Sequence, residues 1–299
     1  MNDTIHPASH LELALPPAAS RRSVAGRTIP TTFEALEETA YDLAVLAGDR
    51  IVDTLGRALS VRYKDDRHGI MEPHDAVSNV DEAIEDCLRR RLAARHPDHA
   101  VIGEERGRTG PADAEFTWLI DPVDGTTNFV NGVPLFASTV AVLHRGVPVA
   151  GATWCATSHA LRPGVYHARV GSRAYFDGLP LPLAGREVDG RRRRVSTAPA
   201  PVRPREATWD HLHLGTVSLD AALVAAGALA SARSRGVGAW SAAAGVVLAQ
   251  SAGHEVWTEA AGRWEPFHGF GDQPEAWRQP ILFGDSLAVT ALRAGALAL

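Results

Sequence analysis

The stretch WLIDPVDGTTNFVNGVPLFASTVAV, residues 118–142, decides the fold of this chain. An apolar run ends at Asp121, and Asp124 follows three positions later, directly before a glycine. The two carboxylates can flank one point, and the carbonyl group of Val123 can turn inward between them. Carboxylate and carbonyl oxygens are typical ligands of Mg²⁺, which also keeps water and phosphate oxygens around it. The stretch therefore predicts a buried strand whose end holds a divalent cation.

Two further acidic segments repeat parts of this pattern. The residues GEE, 103–105, follow another apolar run and contribute Glu104 and Glu105, whereas SNVDEAIED, 78–86, brings Asp81 to the start of a helix. Each segment alone is as typical of a turn or of a solvated acidic pair. Three segments together, two of them behind apolar strands, favour a metal site.

Composition and charge limit the possible function classes. The chain has 299 residues, 45% of them apolar and 22% charged, with a formal net charge of −5. Such a chain has no general attraction for nucleic acids or anionic lipids, and it lacks the run of about 18 apolar residues that predicts a membrane span. Its two cysteines, Cys87 and Cys155, make no disulfide framework. We therefore expect a cytoplasmic protein without nucleic-acid or membrane partners.

The spacing of apolar residues predicts a mixed α/β chain in three parts. Residues 1–31 form a flexible N-terminal tail, residues 32–184 an N-terminal α+β part with the metal site, and residues 185–299 a C-terminal α/β part that closes the site. Thr31 and Glu34 have the spacing of a capping box. The predicted helices are 32–60, 81–95, 217–230 and 241–252, and the predicted strands are 100–105, 117–125, 164–183 and 254–259, with a hairpin over 136–156.

These motifs resemble those of a known family. Residues 118–142 are similar, nearly residue for residue, to the most diagnostic signature of the inositol monophosphatase family of Mg²⁺-dependent, lithium-sensitive phosphatases. Its other motifs are similar to HPDHAVIGEE, DAVSNVD, LGTVSLDAALVAAG and WSAAAGVVLAQSAGHEV. The resemblance covers about residues 33–290. It implies an α/β fold, a layered αβαβα sandwich of the inositol monophosphatase and fructose-1,6-bisphosphatase type, and a homodimer.

The resemblance also implies a set of metal ligands. Glu104, Asp121 and the carbonyl group of Val123 would hold a first Mg²⁺, and Asp121 and Asp124 would share a second. Glu105 would lie at the edge of the site, near a weaker third cation. A cation lowers the pKa of a bound water, and a second cation stabilises the leaving alkoxide.

Catalytic and phosphate-binding residues follow from the same resemblance. Asp81 and Thr126, with the ligand Glu104, would orient and deprotonate the water that attacks phosphorus in line. The N–H groups of Gly125 and Thr126 would bind phosphate oxygens at a helix start. Lys64 has the position of a family lysine on a loop near the site.

Two serines depart from the family pattern. Ser241 follows Trp240 where the family has the aspartate that completes the second metal site, and Ser234 replaces a glutamate that contacts substrate hydroxyls in the inositol enzymes. A neutral serine is a poorer ligand than a carboxylate, and two Mg²⁺ ions repel each other. We therefore expect one Mg²⁺ site, with the second weakened or absent. Arg233 or Arg235 could replace the missing cation.

Three other segments each allow two interpretations. The polar loop 64–75, longer than expected for the family, is either a solvated lid or a source of a replacement ligand or substrate contact. Arg191 to Arg194 are either a solvated surface run or an anion-gathering rim. His211 and His213, on one face of a predicted strand, are either surface histidines or ligands.

Two functional hypotheses result. The first is a Mg²⁺-dependent phosphomonoesterase that acts on a small sugar, cyclitol or polyol phosphate, and not on inositol phosphate itself. The second is a repurposed or catalytically impaired family member that binds a phosphorylated small molecule or catalyses a different step in a specialised biosynthetic pathway. A purely structural or interaction protein is the remaining alternative.

Overall fold

Helices and sheets alternate in layers through the described part of the chain. The computed structural model describes residues 32–56, 61–63, 76–183, 194–197 and 209–293. All of them belong to one compact unit, Thr32–Leu299. The expectations for the tail 1–31, for Lys64 and the loop 64–75, and for Arg191 to Arg193 lie outside the described residues. The division expected between residues 184 and 185 stays a prediction.

The helices form the outer and middle layers. α1 and α2 pack on one face of a large sheet, α4 and α5 lie between that sheet and a smaller one, and α6 packs against the smaller sheet. The helices are α1 (Phe33–Val52), α2 (Asn79–Arg95), α3 (Thr126–Val130), α4 (Val217–Ala225), α5 (Ala239–Ser251) and α6 (Ser286–Arg293), with a 3₁₀ turn at Pro274–Ala276.

Within the described residues the large sheet has eight strands, and both ends of the segment 118–142 lie in it, in β5 and β6. Its order is β10-β9-β8-β7-β6-β5-β3-β4, and only β3 and β5 pair in parallel. A separate hairpin pairs β1 (Val61–Tyr63) with β2 (Ala76–Ser78). The sheet strands are β3 (Ala100–Gly103), β4 (Gly107–Thr109), β5 (Phe116–Asp124), β6 (Ala137–His144), β7 (Val147–Cys155), β8 (Gly164–Arg169), β9 (Tyr175–Phe176) and β10 (Leu179–Pro180).

The smaller sheet, as far as the chain is described, has six strands in the order β12-β11-β13-β16-β14-β15. β11 pairs in parallel with both β12 and β13, and the remaining pairs are antiparallel. Its strands are β11 (Arg194–Thr197), β12 (Trp209–Leu212), β13 (Ser231–Ser234), β14 (Glu255–Ala260), β15 (Arg263–Pro266) and β16 (Ile281–Gly284).

Helix α1 shows how local sequence sets an element. Its apolar positions, from Leu36 to Ile51, are buried against the large sheet. The N-cap is Thr32, whose hydroxyl accepts the N–H of Ala35, so the capping box expected for Thr31 and Glu34 is wrong: the helix begins one position later, with an alanine where the box needs an acidic side chain. The helix ends at Val52, earlier than predicted, because no apolar face remains to bury: Val52 and Leu55 are exposed.

Helix α5 is buried continuously from Ser241 to Ala249, which explains its small residues. Gly245 lies so close to α4 that a Cβ there would be 2.5 Å from the Cβ of Ala221. On the side of the large sheet, a Cβ on Gly151 would be 2.9 Å from the Cα of Ala244. Close packing of this kind leaves no room for longer side chains. The alanines therefore let a sheet, two helices and a second sheet stack closely around one core.

The predicted element types are confirmed for the described residues, whereas several boundaries shift. The predicted hairpin becomes β6 and β7, with its turn at Arg145 and Gly146. The predicted helix 217–230 is α4, which ends at Ala225. No helix among the described residues has the length and apolar character that a bilayer crossing requires.

Candidate active site

The site is built around the end of β5. Asp121 pairs with Thr139 of β6, but the next pair joins Asp124 to Ala137, so β5 contains one extra residue there. Residues three positions apart in a regular strand point to opposite faces. A one-residue bulge cancels that alternation and re-aims the side chains. The bulge therefore allows Asp121 and Asp124 to serve one site, and Pro122 is tolerated in it because the ladder is interrupted.

Asp121 is the buried centre of this cluster. It is 1% exposed, and its Oδ2 accepts the hydroxyl of Ser241 at 2.6 Å. Its Oδ1 is buried and has no hydrogen-bond partner among the described residues. Burial, followed by the charges of Glu104 and Asp124, raises the pKa of Asp121, and the Ser241 hydroxyl opposes that rise. The ionised form of Asp121 therefore calls for a compensating positive charge.

Asp124 faces the start of α4. Its Oδ2 accepts the hydroxyl of Thr216 and the N–H of Ser218, each at 2.6 Å. Burial raises the pKa of Asp124, while Thr216, Ser218 and the N–H of Gly125 stabilise the ionised form. Thr216 is also the N-cap of α4. Thr216 and Ser218 belong to the motif LGTVSLDAALVAAG, but nothing local in that motif predicts their contact with Asp124, which lies more than 90 positions away along the chain.

Asp81 lies at the start of α2, where a capping box holds it. Its Oδ2 accepts the N–H of Ser78 at 3.0 Å and the Ser78 hydroxyl at 2.5 Å. Its Oδ1 lies 3.4 Å from the hydroxyl of Thr126, which donates to the Val123 carbonyl at 2.8 Å. Burial raises the pKa of Asp81 to about 6, against the hydrogen bonds from Ser78. Asp81 can therefore exchange a proton near neutral pH.

Gly125 and α3 close the end of β5. Gly125 has φ 87°, a left-handed conformation that favours glycine, and a Cβ there would be 3.0 Å from the Leu135 carbonyl oxygen. The amide of Asn128 donates to the carbonyl groups of Leu135 and Leu214, each at 2.7 Å. Asn128, which the sequence did not single out, therefore joins α3 to the segment before α4.

Glu104 and Glu105 lie in the loop between β3 and β4. The N–H of Glu104 donates to the carbonyl of Ile120 at 3.2 Å, which places Glu104 beside the residue that precedes Asp121. Both glutamates are half-buried. The N–H of Glu105 donates to the carboxylate of Glu85 at 2.8 Å. The position of Glu104 is thus set from two sides, by β5 and by α2.

Ser241 and Ser234, the two serines that depart from the family pattern, lie in different elements. Ser241 is 7% exposed in the first turn of α5, and its carbonyl accepts the hydroxyl of Ser218 at 2.9 Å. Ser234 is half-buried at the end of β13, four positions before Gly238, the N-cap of α5. Asp121, Ser241 and Ser218 therefore link β5, α5 and α4.

The two arginines next to Ser234 are not alike. The guanidinium group of Arg233 is 9% exposed, lies 3.7 Å from Glu259 and sits over the ring of Trp264 at 5.1 Å. It is therefore engaged with β14 and β15 and does not serve as the replacement cation considered above. Arg235 is exposed. His211, the other ligand candidate, hydrogen-bonds through Nδ1 to Ser196 at 2.8 Å, within the smaller sheet.

The residues at the end of β5 suit a hard divalent cation in charge and donor type. The unpartnered Oδ1 of Asp121 is a buried acceptor, and burial, followed by the charges of Glu104 and Asp124, raises the pKa of its carboxyl group. In the described ranges, no three His, Cys, Asp or Glu side chains are already gathered tightly enough to hold a metal ion. The Ser241 and Thr216 hydroxyls instead bind Asp121 and Asp124, so cation binding would require these carboxylates to turn.

Comparison with known proteins identifies the family. A family model described as the inositol monophosphatase family matches residues 33–271. The chain belongs to the inositol monophosphatase family. A relative from Mesorhizobium japonicum named inositol-1-monophosphatase is 31% identical over 218 residues, which cover 66% of this chain and 79% of that protein. A probable inositol 1-monophosphatase ImpA from Mycobacterium tuberculosis is 35% identical over 233 residues, which cover 72% of this chain and 83% of that protein.

Solved structures of inositol monophosphatases share the fold. The extragenic suppressor protein suhB from Bartonella henselae has a TM-score of 0.69 and 25% identity, and the match covers 88% of this chain and 98% of that one. SaIMPase-II, solved with inositol monophosphate bound, has a TM-score of 0.62 and 25% identity, and the match covers 84% of this chain and 89% of that one. The expected αβαβα sandwich is confirmed, and the chain is a member of a family of phosphomonoesterases.

Proposed function

We propose that this inositol monophosphatase family member is a Mg²⁺-dependent phosphomonoesterase that acts on a small sugar, cyclitol or polyol phosphate. The observation that carries the proposal is the buried carboxyl group of Asp121, whose Oδ1 has no hydrogen-bond partner among the described residues. Burial raises the pKa of this carboxyl group most, and the charges of Glu104 and Asp124 add to the rise. A cluster of this kind is stable in its ionised form only when a cation neutralises it.

The proposed ligands of one Mg²⁺ are Glu104, Asp121 and the carbonyl oxygen of Val123. The Val123 carbonyl already accepts the Thr126 hydroxyl at 2.8 Å, and a carbonyl oxygen has a second lone pair for a cation. Asp124 is the proposed ligand of a second, weaker cation. A bound Mg²⁺ would lower the pKa of a coordinated water and neutralise charge on the phosphate.

Asp81 and Thr126 are the proposed groups that move the proton of the attacking water. Thr126 can accept a proton from that water while its own hydroxyl proton passes to Oδ1 of Asp81, 3.4 Å away. The water oxygen forms its bond to phosphorus as the bond from phosphorus to the alcohol oxygen breaks. The released alkoxide then takes a proton from a solvent water, and Asp81 returns its proton to solvent. The pKa of Asp81, about 6, suits a base near neutral pH.

The N–H groups at Gly125 and Thr126 are the proposed phosphate contacts. Gly125 is the N-cap of α3, and the N–H groups of a first helical turn have no partner within the helix. Because the Gly125 N–H already stabilises the Asp124 carboxylate, Thr126 is the stronger candidate of the two. Lys64, the other proposed contact, lies outside the described residues.

The substrate side of the proposed site has serines in place of carboxylates. Ser234 and Ser241 are neutral, so they cannot bind substrate hydroxyls as strong charged acceptors do. SaIMPase-II has been solved with inositol monophosphate bound. We propose that the present chain prefers a different small polyol phosphate, whose hydroxyl pattern does not need the missing glutamate at position 234.

A second candidate function has its own observation. The hydroxyl of Ser241 donates to Oδ2 of Asp121 at 2.6 Å, which occupies an oxygen that a second cation would use. This bond favours a repurposed or impaired member, which binds a phosphorylated small molecule or catalyses another step in a specialised pathway. The two candidates differ in whether Ser241 permits turnover.

Phosphate release from a panel of sugar and cyclitol phosphates separates these candidates. We would assay the wild type, Ser241→Asp and Asp121→Asn, each with Mg²⁺ and with a chelator, and Gln250→Asp as the control. Gln250 is an exposed position on the same helix, so this variant adds the same charge away from the site. Calorimetric titration with Mg²⁺ alone accompanies each assay.

The outcomes distinguish the candidates clearly. Mg²⁺-dependent turnover by the wild type, abolished in Asp121→Asn and kept in Gln250→Asp, supports the phosphomonoesterase. An inactive wild type that Ser241→Asp makes active supports the repurposed member. No turnover in either protein, together with no Mg²⁺ binding, excludes both.

Two general properties complete the proposal. Cys87 and Cys155 are both free thiols, which agrees with a reducing cytoplasm. We also propose a homodimer, as the family resemblance implies. Sedimentation velocity of the full chain tests the dimer, and a mass of one chain at micromolar concentration would contradict it.

A further inference from the structure

Glu85 is a fully buried acid that the proposed reaction does not use. It lies on α2 one helical turn after Asp81, and its side chain has no exposed surface. Its carboxylate faces the loop that joins β3 to β4. Oε2 accepts the N–H of Glu105 at 2.8 Å, and Oε1 accepts the N–H of Arg106 at 3.0 Å.

The loop contains only the three residues 104–106. It is closed by the pair Gly103 and Gly107, and Gly107 adopts a left-handed conformation with φ 63°. Each loop N–H has a partner: that of Glu104 donates to the Ile120 carbonyl at 3.2 Å, and the other two donate to Glu85. Since Ile120 directly precedes Asp121, the loop conformation sets the distance between Glu104 and Asp121.

Arg89 extends this contact to the next strand. Its Nε donates to Oε1 of Glu85 at 2.7 Å, which compensates the buried charge, and its Nη1 donates to the hydroxyl of Thr109 at 2.8 Å. Its Nη2 donates to the carbonyl of Gly107. Glu85 and Arg89 therefore bind the N–H groups and a carbonyl of the same short hairpin, so several hydrogen bonds connect α2 to the loop.

Gly103 is required for this approach. A Cβ at position 103 would lie 2.2 Å from Oε1 of Glu85, which is far closer than atoms pack. Gly103 therefore leaves room for a carboxylate from α2. The backbone conformation of β3 does not by itself require a glycine at this position. The same helix also carries Asp81, so one rigid element fixes both the proposed base and the loop of a proposed ligand.

We infer that Glu85 is a positioning residue that holds the loop 104–106 so that Glu104 reaches the cation site beside Asp121. The inference rests on the proposed function in one respect, since it takes Glu104 as a cation ligand. Hydrogen bonds to a charged acceptor are the strong ones, and supporting contacts of this kind tune metal affinity by tenfold or more. Glu85 touches neither substrate nor cation.

Two measurements test the inference on the full chain. The first is hydrogen–deuterium exchange of the peptide over residues 103–109 without added metal, and the second is calorimetric titration with Mg²⁺ alone. Glu85→Gln keeps the shape of the side chain but turns one acceptor into a donor that opposes a loop N–H. We expect the loop amides to exchange at least tenfold faster and Mg²⁺ to bind at least tenfold more weakly.

Glu37→Gln is the matched control. Glu37 is a buried carboxylate on α1, 2.8 Å from Nδ1 of His167 and 3.1 Å from Nε of Arg169, and both of these partners belong to β8. The Glu37→Gln variant should lower thermal stability as Glu85→Gln does. It should change the hydrogen–deuterium exchange of the loop and the affinity for Mg²⁺ by less than twofold. Where Glu85→Gln fails to fold, Gly103→Ala displaces the Glu85 carboxylate without a change of charge and should act in the same direction.

Each outcome decides the inference. Unchanged loop exchange in Glu85→Gln overturns it, as does faster exchange with unchanged Mg²⁺ affinity. Equal effects in Glu37→Gln would show a general loss of stability and would overturn it as well. A wild type that binds no Mg²⁺ contradicts the proposed function, and the exchange measurement then decides alone whether Glu85 holds the loop.

Discussion

Asp220 is a buried carboxyl group whose ionisation should destabilise the folded chain. It lies on α4, is 6% exposed, and its Oδ1 has no hydrogen-bond partner among the described residues. Burial raises the pKa of Asp220 from its usual value near 3.8 to about 8, the charge of Asp124 adds to the rise, and Thr197 opposes it. The folded chain therefore holds a proton on Asp220 at neutral pH that the unfolded chain releases.

The direction of the pH dependence follows from this difference. Because the pKa in the folded state is raised, the contribution of Asp220 to stability is fully present below about pH 4 and is lost as the pH rises through about 8. One pKa unit corresponds to about 1.4 kcal/mol, so the loss between pH 5 and pH 8 amounts to roughly 4 kcal/mol. Total stabilities are about 5–15 kcal/mol, so the effect is large.

Asp220→Asn isolates this contribution. Asparagine has the shape of the neutral acid but cannot ionise, so the free energy of unfolding of the variant should gain up to about 4 kcal/mol relative to the wild type between pH 5 and pH 8. Any fixed cost of burying the amide group cancels in this comparison of two pH values. Urea unfolding followed by circular dichroism, in a chelator at both pH values, measures the difference.

Asp113→Asn is the control, because Asp113 is exposed. The free energy of unfolding of Asp113→Asn should equal that of the wild type at both pH values. Parallel curves for Asp220→Asn and the wild type would show that Asp220 is ionised in the folded chain at pH 8 without cost, and would refute the reasoning from burial.

Three further substitutions test packing, backbone strain and capping. Gly48→Ala places a Cβ 2.3 Å from Nε1 of Trp154, so urea unfolding should show a loss of about 1–3 kcal/mol, and an unchanged midpoint would contradict the close packing of α1. Leu161 is 89% exposed with φ 56°, so Leu161→Asn should gain about 1 kcal/mol, and a lower melting temperature would argue against strain there. Thr216→Val removes the cap of α4 and the hydrogen bond to Asp124, so calorimetric melting should show a loss of about 1–2 kcal/mol, with equal stability as the contrary result.

The element types and the position of β5 could be predicted from the sequence because they depend on local patterns. The apolar run before Asp121 is a strand buried on both faces, and periodic apolar residues from Leu36 to Ile51 mark α1. Helix ends could not be predicted as well, because α1 stops where packing partners end and not where helix-forming residues end. The bulge that aligns Asp121 and Asp124 could not be predicted from local sequence patterns either, although Pro122 is compatible with it.

The contacts around the carboxylates could not be predicted, because they join distant parts of the chain. Ser241 and Asp121 are 120 positions apart, and Thr216 and Asp124 are 92 apart. Glu85 looks in the sequence like half of an ordinary helical ion pair with Arg89. The one local sign of its role is Gly103, directly before the acidic loop, and that sign has meaning only when the partner helix is known.

Ser241 changes the charge balance of the cluster more than its shape. A single Mg²⁺ leaves the three carboxylates Glu104, Asp121 and Asp124 with a net charge of −1, whereas a fourth carboxylate at 241 would leave −2. At 4 Å and an effective dielectric constant near 20, each pair of unit charges contributes about 4 kcal/mol, so removing that carboxylate weakens attraction for a second divalent cation by about 8 kcal/mol before desolvation is counted.

The Ser241 hydroxyl compensates part of this loss without a cation, since it donates to Asp121 at 2.6 Å and stabilises its ionised form. A cluster of three carboxylates with an internal donor approaches neutrality with one Mg²⁺. We therefore expect calorimetric titration to find one strong Mg²⁺ site in the wild type and two in Ser241→Asp. Two strong sites in the wild type would mean that another group supplies the missing charge, and the exposed Arg235 could not be that group because it is itself a cation.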